Sequence, residues 1–173
     1  MKACVVDVNV AVVANRKSPQ AGKNCIEACL SALEEIKRNR CLLVIDDRWR
    51  ILPEYSRNMS KSGQPEPGDA FLKWALANQS NPRCCERVSI TPTEPPEDYA
   101  EFPRDPDLDG FDRNDRKYVA AALASRNSPE VLNAVDSDWW DFRIPLERNG
   151  VRIRFLCPDC VQRARPPSTG TGR

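Results

Sequence analysis

Four places in the chain put a carboxylate where an apolar run ends or a new periodic segment begins. Asp7 lies near the end of the run 3–8, and Glu54 sits in Ile51-Leu52-Pro53-Glu54-Tyr55. Asp112 and Asp115 precede Tyr118, and Asp136 and Asp138 flank Ser137 after the run 131–135. Acids crowded together repel one another and lose hydration, so their convergence requires a compensating cation. Magnesium or manganese suits them: these hard ions take oxygen ligands and keep several waters. In pairs about 3.5–4 Å apart they activate water and stabilise the leaving oxygen of a phosphodiester. Taken singly, an Asp at a strand end is ordinarily a turn former and one at a helix start a cap. The combination is what points beyond capping, together with Asp7, which is costly to bury in an apolar run without a partner.

The chain contains no histidine among its 173 residues. That excludes Ser-His-Asp and Cys-His nucleophilic sites, histidine-bearing zinc sites and imidazole acid–base work. Hydrolysis on carboxylates, metal and water needs none of these.

Other polar clusters carry weaker signals. Asp105, Asp107 and Asp109 followed by Gly110 match the opening of a calcium-binding loop. Position twelve would be Arg116, and Pro103 and Pro106 stand where a helix should enter, so calcium is not expected. Of eight cysteines, Cys4, Cys25, Cys29 and Cys41 fall in apolar periodic segments, as small buried residues do. Cys84 with Cys85, and Cys157 with Cys160, are left as a weak zinc candidate set beside the plainer reading of free thiols. Thiols without an export signal fit a reducing, cytoplasmic compartment; Asp7 and Asn9 interrupt what would otherwise resemble a signal segment.

The elements that must position the acids can be read from periodicity. Short apolar runs at 3–8, 41–45, 131–135 and 151–156 read as buried strands. They alternate with amphipathic stretches at 22–38, 49–59, 69–78 and 114–125, and such alternation implies an α/β fold with a mostly parallel sheet. In such a sheet the C-terminal strand ends share one edge, where ligands bind, so the four acidic stretches should converge there. Residues 61–68 and the proline-rich 91–110 read as loops, and 161–173 as a disordered tail after one domain over 1–160. No run approaches the ~18 apolar residues of a membrane span.

Taken in order, the segments Val5-Val6-Asp7-Val8-Asn9-Val10, Ile51-Leu52-Pro53-Glu54-Tyr55, Phe111-Asp112-Arg113-Asn114-Asp115 and Asn133-Ala134-Val135-Asp136-Ser137-Asp138 resemble the PIN domain, over about residues 3 to 156. The resemblance implies a three-layer α/β/α sandwich around a mostly parallel sheet. It also implies a nuclease, most often a ribonuclease, with a carboxylate pocket for Mg²⁺ or Mn²⁺. Asp7, Glu54, Asp115 and Asp136 would then be the catalytic metal ligands, with Asn9, Asp112 and Asp138 auxiliary. Two residues depart from the family pattern: Val8 stands where Ser or Thr is common, and Pro53 implies that the helix bearing Glu54 begins or kinks there.

RNA is the expected substrate, with single-stranded DNA also open. Arg48, Arg50, Arg113, Arg116 and Lys117, with Arg16, Lys17 and Lys23, are candidates for a basic rim that neutralises phosphates. The net charge of +1 argues against a wholly basic wrapper but permits such a patch. Trp139, Trp140 and Phe142 are core aromatics or stacking platforms for bases. Related readings keep the fold but change the role: the toxin of a toxin–antitoxin pair or a defence nuclease held by a protein inhibitor, a non-cleaving RNA-binding scaffold, or a phosphatase-like metal protein. Self-association stays open.

Overall fold

A computed structural model describes residues 2–95 and 98–163. Five parallel strands form the central sheet in the order β3-β2-β1-β6-β7: β1 (Lys2–Val6), β2 (Cys41–Asp46), β3 (Cys85–Val88), β6 (Glu130–Asn133) and β7 (Arg152–Phe155). Two further strands, β4 (Pro92–Thr93) and β5 (Asp98–Tyr99), make a small antiparallel ladder apart from it. The helices are α1 (Val8–Ala14), α2 (Lys23–Lys37), α3 (Leu52–Asn58), α4 (Pro67–Asn78), α5 (Arg116–Ala124), α6 (Ser137–Asp141), α7 (Arg143–Arg148) and α8 (Pro158–Arg163).

Parallel neighbours need right-handed crossovers. Stepping from β1 outward to β3 puts α1 to α4 on one face, where they pack on one another. The return from β3 to β6 and the step outward to β7 put α5 to α7 on the other, with α5 against β1, β2 and β6. The result is the expected three-layer α/β/α sandwich. The chain reverses direction across the sheet between β1 and β6, and the C-terminal ends of those strands frame the crevice that such a reversal opens.

Burial follows the apolar pattern of the sequence. Val5, Val6, Val131 and Leu132 fill the strand core, and Leu33, Ile36, Phe71 and Leu72 cover it from α2 and α4. Fully burying one such side chain contributes about 1.5–3 kcal/mol. Gly68 permits the closest helix contact: a Cβ there would lie 2.4 Å from the Ala11 carbonyl oxygen, so α4 can cross α1 only with glycine at that point. Asn15 locks the same crossing. Its Oδ1 accepts the Gly68 N–H at 2.6 Å while its Nδ2 donates to Asp69 at 2.9 Å.

Several expected boundaries shift. The first strand ends at Val6 rather than residue 8, because Asp7 caps a helix, α1, that the β-branched Val-Asn-Val-Ala-Val-Val run does not advertise. The expected helix 49–59 starts at Leu52, since the Asp46 carboxylate accepts the N–H groups of Arg48, Arg50 and Ile51 and holds them in a turn. Pro53 sits in the first turn of α3, where its missing N–H removes nothing. The segment 91–110 is a loop with its own packing: Tyr99, Phe102 and Leu108 are buried and Pro106–Leu108 forms a 3-10 turn. Val161 is buried in α8, so the domain runs past residue 160; the rest of the expected tail, 164–173, lies outside the described residues. No helix among the described residues is long and apolar enough to cross a membrane.

Candidate metal centre

Three of the four expected acids meet at the crevice. Carboxylate oxygens of Asp7, Asp115 and Asp136 all lie within 4.8 Å of one another. Asp7 leaves the end of β1 and caps α1, its Oδ1 accepting the Asn9 N–H at 3.0 Å. Asp136 follows β6 and caps α6 in the same way, accepting the Asp138 N–H at 2.9 Å. Asp115 closes the 3-10 turn Arg113–Asp115 at the start of α5, and its side chain accepts no hydrogen bond among the described residues. Capping and clustering are therefore compatible at the two strand ends: one oxygen holds the helix start, and the geometry leaves the carboxylate at the shared edge.

Asp7 and Asp115 resist ionisation. Burial, then the charges of Asp136 and Glu54, push the Asp7 carboxyl up to about 7, against the pull of the Asn9 N–H and the Trp139 indole. Burial, followed by Asp7, Asp136 and Asp112, pushes Asp115 up to about 9. Burial also raises Asp138. Acids that retain protons because they are desolvated and face one another form a set that a divalent cation would relieve. The donors are all carboxylate oxygens, which fits Mg²⁺ or Mn²⁺ and not a soft metal.

Glu54 stands outside this trio. Its Oε2 is 2.6 Å from Lys117 Nζ and accepts the Tyr118 hydroxyl at 2.8 Å. It is near enough to raise Asp7 electrostatically, but its charge is already paired.

The auxiliary residues form a belt. Asn9 Oδ1 accepts the Ala134 N–H at 2.8 Å, tying α1 to the chain just after β6, and its Nδ2 is buried without a partner among the described residues. Asp112 caps the turn that carries Asp115, and its own N–H donates to Asp138 Oδ2 at 3.0 Å, linking two acidic stretches.

Two participants were not legible in the sequence. Trp139 is fully buried and its Nε1 donates to Asp7 Oδ2 at 2.8 Å, with Phe111 packed edge-on at 5.1 Å. Its ring is therefore no platform for bases; it fixes the direction of a carboxylate. Asn133 ends β6 fully buried with neither amide atom partnered among the described residues, and the register that pairs Val6 with Leu132 brings it level with Asp7. A Trp three residues after an acid, or an Asn ending a strand, carries no signal that distinguishes these roles.

The expected basic rim divides. Arg116 is buried: it pairs with Asp98 at 3.1 Å, donates to the Leu108 and Asp109 carbonyls and lies 4.4 Å from the centre of the Phe102 ring. It anchors the 91–110 loop and is not a phosphate ligand. Lys117 is likewise buried, on Glu54 and the Asn114 carbonyl. Arg16 and Lys17 follow α1, whose seven residues carry them about 10 Å back from the acidic edge. Lys23 is 3.8 Å from Glu27 on the α2 surface. What remains is Arg50 and Arg113, joined by Arg57, around a cleft of about 210 Å³. Trp49 shares it, 51 % exposed and held at φ +59° by the Asp46 turn, with Arg48 exposed beside it. Pro53, Asn114 and Lys117 also line the cleft and adjoin Glu54 and Asp115, which places it beside the acids.

The remaining clusters are accounted for otherwise. Arg148 reaches both Asp105 (2.6 Å) and Asp107 (2.8 Å), and Asn149 also donates to Asp105, so an arginine occupies the place a calcium ion would need. Cys84 and Cys85 lie at the β3 edge and Cys157 and Cys160 beyond β7 at the opposite edge, which rules out a shared zinc ion.

Comparison of the chain with models of known protein families, with curated proteins and with solved structures finds no match.

Proposed function

We propose that this chain is a divalent-metal-dependent ribonuclease of the PIN type, acting in the cytoplasm. The observation that carries the reading is the meeting of Asp7, Asp115 and Asp136, from three separate stretches, within 4.8 Å at the crevice between β1 and β6. Topology alone brings the ends of β1 and β6 together, but it gives no reason for Asp115, at the start of α5, to join them. Asp7 and Asp115 are buried with Asp136 half-buried beside them, and such crowded acids are costly to maintain unless they hold a cation.

Asp7, Asp115 and Asp136 would hold Mg²⁺ or Mn²⁺, which supplies a nucleophilic water at neutral pH and charge stabilisation at phosphorus. Trp139 and the Asn9 N–H fix both oxygens of Asp7. Asp138 and Asp112 hold the turns of Asp136 and Asp115 together. Glu54, paired with Lys117, orients rather than ligates. Arg50, Arg57 and Arg113 suit the phosphates of a strand laid along the cleft, and exposed Trp49 suits stacking on an unpaired base, which favours a single-stranded substrate.

A substrate panel tests the reading: single-stranded RNA, duplex RNA, single-stranded DNA and a chromogenic phosphomonoester, each with Mn²⁺. Cleavage of single-stranded RNA is expected to exceed the others by at least about tenfold. Hydrolysis of the phosphomonoester alone would replace the nuclease by a phosphatase, and RNA binding without cleavage would leave a scaffold.

A further inference from the structure

Away from the acidic crevice, three of the eight cysteines collect at one place, and a fourth, Cys160, stands close by outside that cluster. Cys25 and Cys29 lie four residues apart on α2, and so on one face of adjacent turns. Cys157 and Cys160 bracket Pro158 and Asp159 at the start of α8. The sulfurs of Cys25, Cys29 and Cys157 all lie within 4.8 Å of one another, and Cys25 and Cys157 are joined as a disulfide across 132 residues. Cys160 is one turn further along α8, with its Sγ 3.6 Å from the Gln20 carbonyl oxygen, and it acts electrostatically on Cys29. A disulfide alone accounts for two of these four. It gives no reason for Cys29, fully buried, to stand beside the bond, or for Cys160 to complete a C-x-x-C.

We propose that the reduced chain binds a zinc ion through Cys25, Cys29, Cys157 and Cys160. Two chelating pairs, one on a helix face and one at a proline-bearing helix start, can direct four thiolates to a common point. The metal–sulfur distance of about 2.3 Å sets sulfurs roughly 3.8 Å apart in a tetrahedron, a spacing the three close sulfurs approach once the disulfide opens. An all-sulfur donor set selects zinc over the hard ions of the acidic crevice. Opening the bond takes a dithiol reductant: its two hydrogens pass to the Cys25 and Cys157 sulfurs, and it becomes a cyclic disulfide. Zinc then displaces the four thiol protons, leaving four thiolates on one Zn²⁺ and a net charge of two minus.

The site would be structural. It ties the start of α2 to α8, the last helix among the described residues, which is also held by Val161 and contacts with α6. It is independent of the nuclease reading, because it shares no residue with the crevice.

The experiment uses the whole chain, reduced with a dithiol, stripped of metal and titrated with Co²⁺ and then Zn²⁺. Cobalt is expected to give the intense thiolate charge-transfer and d–d bands of a tetrahedral sulfur site, which about one equivalent of Zn²⁺ abolishes. Cys29→Ser and Cys160→Ser should each weaken zinc at least about tenfold, while Cys84→Ser should not. The wild-type spectrum does not depend on those variants folding. Absence of the cobalt bands in the reduced protein would overturn the proposal in favour of a disulfide only. So would zinc retained at full affinity by both Cys29→Ser and Cys160→Ser, or a preference for iron.

Discussion

Lys117 Nζ lies 2.6 Å from Glu54 Oε2, both side chains mostly buried, so the acid on α3 enters the crevice with its charge already balanced. The pair separates Glu54 in kind from Asp7, Asp115 and Asp136, which form no ion pair among the described residues. Glu54→Gln should therefore lower cleavage by about tenfold, whereas Asp7→Asn or Asp115→Asn should lower it by a hundredfold or more. Single-turnover rates at saturating Mn²⁺ compare them. Equal losses would place Glu54 among the ligands.

The same pair predicts a stability effect. Lys117→Met leaves Glu54 with only the Tyr118 hydroxyl and no cation, and breaking a buried pair from one side costs about 3–5 kcal/mol. Lys117→Met with Glu54→Gln should recover most of that loss. Urea denaturation of the two variants checks it, and a double variant no more stable than the single would show that the pair is not the cause.

Trp139 aims Asp7, and its loss should be felt as metal affinity before it is felt as fold. Trp139→Phe keeps an aromatic ring beside Phe111 while removing the N–H that reaches Asp7, together with part of the buried indole's volume. Supporting groups of this kind are worth about 10–100-fold in metal affinity. Titration of Mn²⁺ by calorimetry measures it; unchanged affinity would reduce Trp139 to core packing.

Protonation gives a prediction with a definite sign. Asp7 at about 7 and Asp115 at about 9 lie above the ordinary unfolded carboxyl value of about 3.9. Between those values the folded chain holds more protons than the unfolded one. Their contribution to stability is complete below about pH 4 and lost as pH rises through 7 and then 9. With EDTA present, the melting temperature should fall between about pH 5 and pH 8, and Mn²⁺ should restore it at the upper end. Asp69 and Asp105, held low by their hydrogen bonds, act in the opposite sense at lower pH and leave this window clear. A metal-free melting temperature that rises over the window would contradict the buried pair Asp7 and Asp115.

The cleft beside the acids predicts a separation of binding from chemistry. Trp49→Ala and Arg113→Ala should weaken single-stranded RNA binding measured with Ca²⁺ in place of Mn²⁺, Trp49 by about 1–3 kcal/mol per stacked base. Arg113→Ala should also flatten the salt dependence. Arg116→Ala should instead loosen the 91–110 loop, since its partners are Asp98, Phe102 and two loop carbonyls.

What could be read in the sequence followed strong local patterns. The amphipathic stretch 22–38 is α2 to within a residue at each end, and the run 41–45 is β2 extended by Asp46. Helix α1 was hidden because its valines favour a strand locally, and packing with the Asp7 cap overrides that preference. Strand β3 was hidden because Glu86 and Arg87 interrupt its short apolar signal at the sheet edge. At the site, strand ends located Asp7 and Asp136, because topology brings such ends together. Charge alone could not sort Lys117 and Arg116 from Arg113: side-chain direction at the start of α5 sends the first two inward and leaves the third exposed. Nor could it show that Trp139 bonds Asp7, a contact across 132 residues.

The most direct test of the metal-carboxylate account is cleavage of a fluorogenic single-stranded RNA by purified wild type, Asp7→Asn and Asp115→Asn, each with Mn²⁺, Mg²⁺ or EDTA. The account predicts activity in the wild type with either metal, none with EDTA, and loss of at least about a hundredfold in both variants with their fold intact. Cleavage that persists in EDTA, or survives both substitutions, would contradict it.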